Sequence, residues 1–190
     1  LPGITTACPG LPTGNQTDKT NASLIRTPEK PSSDTDAPDT NEPFIDPQKL
    51  GLVPSSEWSN EKMTLTSIQQ KYFKRRNGNA RRFDVKLCIA LIITTAYPST
   101  YSVIGVMWLK EHVIKVDALV FAGMLGINVI QGGLFHKQGN FLRHGFVQIT
   151  PRDVPDLEED PRCNDVDNYN VRLFVHKSAY YTRTGVQTYL

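Results

Sequence analysis

Apolar and polar positions are unevenly spread along this chain. Residues 1–47 are rich in Pro, Thr, Ser, Asn and Asp and hold few aromatic or branched aliphatic side chains. Such a stretch offers little apolar burial to offset the entropy of ordering a backbone. It predicts a disordered N-terminal arm over residues 1–60. One apolar island interrupts the arm: Phe44, Ile45, Leu50, Leu52 and Val53, ending at Trp58. A hydrophobic knot in a polar arm either packs back on its own domain or docks on a second copy as a short linear motif. Both readings stay open.

The rest of the chain, residues 61–190, reads as one globular domain of mixed helix and strand. Met63, Leu65 and Ile68 fit a short helix or a strand equally well. Phe83-Asp84-Val85-Lys86-Leu87 alternates as a half-buried strand does, and Cys88–Ile93 continues as a β-branched run suited to a buried central strand. Tyr97-Pro98-Ser99-Thr100 breaks it. Tyr101, Ile104, Met107, Trp108 and Val113 then recur near helical spacing, with Ser99 or Thr100 as cap. A second helix is predicted after Asp117, from Ala118 to about Ile130, closed by Gly132-Gly133. Strands are expected around Phe141–Ile149 and Tyr169–Val175, and Ala179–Leu190 could supply another.

The same apolar density raises a membrane alternative. Leu87 to Leu109 carries no charge over 23 residues, enough to cross a bilayer as a helix, and Ala118 to Phe135 is a second uncharged stretch. However, Thr94, Thr95, Pro98, Ser99, Thr100 and Ser102 would put a turn at mid-bilayer, where freed backbone groups find no partner. Mean hydropathy is −0.34. A water-soluble core is therefore favoured over a two-pass membrane protein.

The net charge is only +2, so the total selects no partner. Its distribution says more. Lys71, Lys74, Arg75, Arg76, Arg81 and Arg82 fall within a dozen residues that hold no acid, around the turn signal Asn77-Gly78. This patch is either a solvated loop or an electrostatic contact with phosphate, from anionic lipid headgroups or a nucleic-acid backbone. Tyr72 and Phe73 would add an interfacial or stacking contribution. On an anionic membrane each cation contributes about 1 kcal/mol. Seven carboxylates between Asp153 and Asp167 read as a solvated acidic loop.

Catalytic and metal-ligating patterns do not emerge. Cys8, Cys88 and Cys163 lie far apart, without CxxC spacing, and read as free thiols of a reducing compartment. The sequons at Asn15 and Asn21 carry little weight in an Asn/Thr-rich tail. The chain begins at Leu1, so a removed leader stays open. His112, His136, His144 and His176 lack metal-ligand spacing. There is no phosphate-cradling glycine motif and no GxSxG. The expectation is a protein that is not an enzyme and takes no cofactor and no metal.

In order of segments the chain resembles the rhabdovirus matrix proteins, from about Met63 to the C-terminus. The resemblance rests on the polar arm, the basic stretch, the strand-like Arg82–Leu87, the helix begun at Tyr101-Ser102, the helix Ala118–Ile130, and the strands flanking an acidic loop. It implies an α+β fold, a twisted antiparallel sheet packed on two or three helices behind a disordered arm. It implies a structural viral protein that self-associates, binds anionic membrane and condenses the nucleocapsid during virion assembly and budding. Lys71, Lys74, Arg75, Arg76, Arg81 and Arg82 would then contact membrane or nucleic-acid phosphate. Phe44, Ile45, Leu50, Leu52, Val53 and Trp58 would carry self-association. The implied partners are other copies of itself, a viral nucleoprotein–RNA complex, anionic lipid and host nuclear import factors. The implied location is the inner face of the envelope, with host cytoplasm, membrane and nucleus. The late-budding motifs PPxY and P[ST]AP are missing from the chain. The alternatives are a jelly-roll coat protein of a small virus, its basic segment facing RNA, and the two-pass membrane protein.

Overall fold

The computed structural model describes residues 42–52, 58, 60–75, 82–127, 133–136, 139–179 and 181–185. All of them belong to one compact unit, Thr40–Leu190; the segment Leu1–Asp39, Val53, Arg76 and Arg81 lie outside the described residues. The fold is α+β, a four-stranded antiparallel sheet with helices on one face.

The apolar island belongs to this unit. Strand β1 (Phe44–Ile45) pairs antiparallel with β2 (Met63–Thr64). Ile45, Leu52 and Trp58 are buried in the main core, and Trp58 packs on Tyr72 at 4.8 Å. Leu50 packs against that core from its edge, whereas Phe44 is 64% exposed. Of the two readings of the island, packing on its own domain is the one these side chains follow. Helix α1 (Leu65–Ile68) is capped by the Thr64 hydroxyl, which accepts from the Ser67 N–H. It runs on into a π-helical turn, Gln69–Phe73.

The largest departure from the sequence pattern is helix α2 (Phe83–Ala96), where strands were expected. Residues 86–94 are buried on every side, so the run needs no amphipathic period to show itself as a helix. A continuous apolar run is ambiguous between buried strand and buried helix, and its length, 14 residues, is a helix length. Thr94 and Thr95 return their hydroxyls to carbonyls one turn back, Thr95 to Leu91 at 2.7 Å. Tyr97-Pro98 ends it.

The expected helix Tyr101–Val113 is cut short. Helix α3 (Tyr101–Ile104) stops at Gly105, whose φ of +80° is left-handed. A Cβ there would lie 2.6 Å from the Phe121 nitrogen, so only glycine permits this approach. A hairpin follows, β3 (Val106–Trp108) and β4 (Val113–Asp117). Asp117 then caps α4 (Ala118–Leu125), its carboxylate accepting from Leu119 and Val120. The helix closes at Gly126 (φ +65°), ahead of the expected Gly132-Gly133. A short helix α5 (Asn140–Arg143) replaces the first part of the strand expected at 141–149, leaving β5 (Phe146–Ile149). Strand β6 (Val171–His176) lies between β4 and β5 in the order β3-β4-β6-β5. No strand forms among the described residues after Ala179.

The sheet has two different faces. Val106, Trp108, Ile114, Val116, Phe146 and Phe174 meet α2, α4 and α5. Here Phe141 stacks on Phe174 at 4.6 Å and meets Phe83 and Phe146 edge-on. Leu109, Val113 and Leu173 face the other way, against Leu157 and Cys163 of the acidic segment 151–167. Among the described residues the four-stranded sheet is backed by helices, and the only other sheet is the two-residue pair β1–β2, so the two packed sheets of a jelly roll are not what forms. Among the described residues no helix is long and apolar enough to cross a membrane.

Candidate nucleic-acid interface

The acidic segment and the start of α2 differ in how their charges are paired. On the acidic side most nearby cations are already paired. Lys110 meets Asp156, Arg152 meets Glu158, and Arg162 forks onto Asp160. Lys115, 3% exposed, pairs with Asp165, donates to the Arg162 carbonyl at 2.7 Å and lies over the Tyr101 ring. Hydrogen bonds from Arg162 hold the Asp160 carboxyl down to about 2. Backbone N–H groups of Val171, Tyr169 and Asn170 likewise lower Asp167. These carboxylates are absorbed by their own loop.

Around the first turn of α2 the situation reverses. Lys71, Lys74 and Arg75 are exposed on the π-helical turn and just after it, and Arg82 precedes α2. Two further cations join them from far along the chain. The ring of His144 packs on Phe83 at 5.2 Å, which brings Arg143, at the end of α5, beside the start of α2. The Lys177 N–H donates to the Gly145 carbonyl at 2.9 Å and so places Lys177 next to that turn. His176 locks the corner: its Nδ1 accepts from the Ser178 N–H, and its Nε2 donates to the His144 carbonyl. Arg143 and Lys177 are both exposed. Among the described residues Lys71, Lys74, Arg75, Arg143 and Lys177 form no ion pair. The structure therefore groups Lys71, Lys74, Arg75 and Arg82 as the sequence pattern did, and adds Arg143 and Lys177. Only strand pairing could reveal those two, since β5 and β6 bring together residues that are isolated in sequence.

This end of the molecule is held from within by α2. Lys86 donates to the carbonyls of Phe73 at 2.7 Å and Arg75 at 2.8 Å. Asp84 accepts from Arg82 Nε at 3.1 Å and pairs with its Nη2. Burial by itself would raise the Asp84 carboxyl. The bonds and charge of Arg82, with the Val85 N–H, outweigh it and leave the group below its ordinary value. Exposed cations close together, Lys71, Lys74, Arg75, Arg143 and Lys177 without an ion pair among the described residues and Arg82 paired with Asp84, suit a polyanion spread over many phosphates. Among the described residues no three His, Cys, Asp or Glu side chains are placed to hold a metal ion.

The model of the transcription-initiator DNA-binding domain, IBD, matches residues 55–173, more than half of the chain. A solved structure resembles part of it: the initiator binding domain of IBP39 from T. vaginalis, in a crystal structure bound to the alpha-SCS Inr element. The two share 17% identity over 59% of this chain and 89% of that one, with a TM-score of 0.38. No curated protein matches. The family match covers most of the region that had suggested a rhabdovirus matrix protein, up to residue 173, and it replaces that reading. The earlier resemblance rested on a generic order of basic stretch, helices, strands and acidic loop; of its strand segments, Arg82–Leu87 opens a helix and Phe141–Ile149 is strand only from Phe146. With it fall the coat-protein and two-pass alternatives and the virion-assembly and budding roles. The implied partners fall too: self-association, a nucleoprotein–RNA complex, anionic membrane and nuclear import factors. So does the envelope location. The chain belongs to the family of transcription-initiator DNA-binding domains.

Proposed function

We propose that this protein binds duplex DNA at a transcription initiator, with Lys71, Lys74, Arg75, Arg82, Arg143 and Lys177 on the phosphate backbone. Arg76 and Arg81, in the same basic stretch, join them. The observation that carries the reading is the family match, supported by the exposed Lys71, Lys74, Arg75, Arg143 and Lys177, which form no ion pair among the described residues, whereas Asp156, Glu158, Asp160 and Asp165 of the acidic segment each pair with a cation. Phosphate contacts hold a protein in register on the duplex, while base edges in the grooves supply sequence preference. The activity is binding rather than turnover, and its place is wherever promoter DNA is.

The test is a selection from a randomised duplex pool. The enriched duplex and a scrambled one of equal composition are then compared by fluorescence anisotropy. The enriched duplex should bind about a thousandfold tighter near physiological salt. Log affinity should fall linearly with log salt, by about 0.9 for each phosphate neutralised. No enriched sequence, and equal affinity for both duplexes, would overturn the proposal.

A further inference from the structure

We infer that His176 is a positioning residue: its imidazole clamps together the two turns that carry Arg143 and Lys177, and so presents both cations to DNA. The inference rests on the DNA-binding reading above and adds to it a residue that acts through its neighbours.

Both ring nitrogens are engaged with backbone groups. Nε2 donates to the His144 carbonyl at 2.8 Å, and Nδ1 accepts from the Ser178 N–H at 3.0 Å. That division of roles is the neutral tautomer, so an uncharged replacement removes no cation from the face. One bond reaches the residue after Arg143 and the other the residue after Lys177. A third bond, from the Lys177 N–H to the Gly145 carbonyl at 2.9 Å, closes the corner between α5 and the end of β6. The ring itself is fixed. It meets the buried Phe146 edge-on at 4.8 Å and lies 4.9 Å from the buried Tyr181. Gly145 makes room for it: its φ is +84°, and a Cβ there would stand 3.0 Å from the His176 Nε2.

The two residues so held are exposed and form no ion pair among the described residues. Like charges on adjoining turns repel each other, and a polyanion relieves that repulsion. Backbones already fixed at both cations also leave less ordering to be done on docking. Stability asks only that the ring pack and the backbone groups find partners. It does not require that each end of the clamp adjoin an unpaired cation.

The experiment uses the full chain. It compares the unaltered protein with His176→Phe, with Arg143→Gln plus Lys177→Gln, and with all three substitutions together. Phenylalanine keeps a ring between Phe146 and Tyr181 but loses both backbone bonds. Affinity for the duplex enriched in the selection above is measured by anisotropy at about 0.15 M salt, with circular dichroism to check folding. His176→Phe should weaken binding about tenfold in the otherwise unaltered chain, the scale of ordering one or two long side chains. In the chain that already lacks Arg143 and Lys177, the same substitution should cost less than about twofold, because the cations it serves are gone. Equal losses in the two backgrounds would overturn the inference, since a general loosening of the fold, or direct contact of the ring with DNA, gives additive effects. A loss below about twofold in the unaltered chain would overturn it as well. If His176→Phe does not fold, His176→Leu, which fills less of the space over Gly145, decides by the same comparison. Failure of the unaltered chain to enrich or bind any duplex would instead remove the DNA reading itself.

Discussion

Neutralising Lys74, Arg75 and Arg143 together would test the cationic face without disturbing the fold. All three are exposed and form no ion pair among the described residues, so each substitution should change stability by no more than about 0.5 kcal/mol. Glutamine is the replacement of choice because it keeps the aliphatic stem. This matters at Lys74, whose Cβ and Cγ lie against Gly126. If each cation neutralises one phosphate, the triple variant loses about 2.7 from the salt slope. Between about 50 and 200 mM salt, the unaltered chain should then lose roughly fortyfold more affinity than the variant. Anisotropy with a fixed duplex at six or more salt concentrations gives both slopes. Arg152→Gln is the control, since Arg152 lies on the acidic side and pairs with Glu158. A triple variant with the original slope would refute the assignment of this face, and so would a loss of equal size in Arg152→Gln.

Three further outcomes follow from the packing and the titrating groups. Gly105→Ala forces a left-handed conformation on a residue with a Cβ, at about 1–2 kcal/mol, and drives that Cβ to 2.6 Å from the Phe121 nitrogen. Urea unfolding should show a loss above about 3 kcal/mol, and a loss below 1 would mean that α3 and α4 do not meet as described. The Cys88 thiol, raised to about 11 by burial, should resist an aromatic disulfide reagent at pH 8 until the protein is unfolded; prompt reaction in the native state would contradict its burial. Asp160 is depressed from 3.8 to about 2, so its contribution to stability is complete above the unfolded value and is lost as pH falls through the window between them. Asp160→Asn should flatten the urea midpoint against pH in that window, and an unchanged curve would mean that Arg162 does not hold the carboxylate.

The fold was legible where a local signal had one meaning. Asp117 ahead of an apolar run predicted the start of α4, and its carboxylate does accept the first free N–H groups. The strand expected over Tyr169–Val175 is β6, with Phe174 in the aromatic core and Leu173 and Val175 on the other side against Leu157 and Cys163. Legibility failed where burial was complete. Leu87–Ile93 shows no polar face, so periodicity could not separate strand from helix, and β-branched composition pulled towards the wrong one. Tertiary packing overrode propensity there: α2 is surrounded by sheet, α3 and the aromatic core. The helix predicted from Tyr101 failed at one residue. Gly105 falls inside an otherwise helical spacing, and nothing local announces that Phe121 will press against it.

The candidate site divides in the same way. A run of cations without acids names a polyanion, but lipid headgroups, RNA and DNA present the same phosphate charge. The run alone could not choose among them, and an order of segments shared by unrelated α+β domains led to the wrong choice. What bears on the choice is the distribution of the cations in space rather than their number. A flat membrane can be gripped by a single flexible basic stretch, because headgroups diffuse to meet it. A duplex offers phosphates at fixed spacings, so the cations that meet it gain from a common rigid frame. Here Arg75 and Arg82 are tied to α2 through Lys86 and Asp84, Arg143 is tied to it through His144 and Phe83, and Lys177 is tied to the turn after Arg143 by a backbone bond. Four cations from three parts of the sequence thus share one buried reference, which is the arrangement that a rigid ligand rewards and a fluid one does not require.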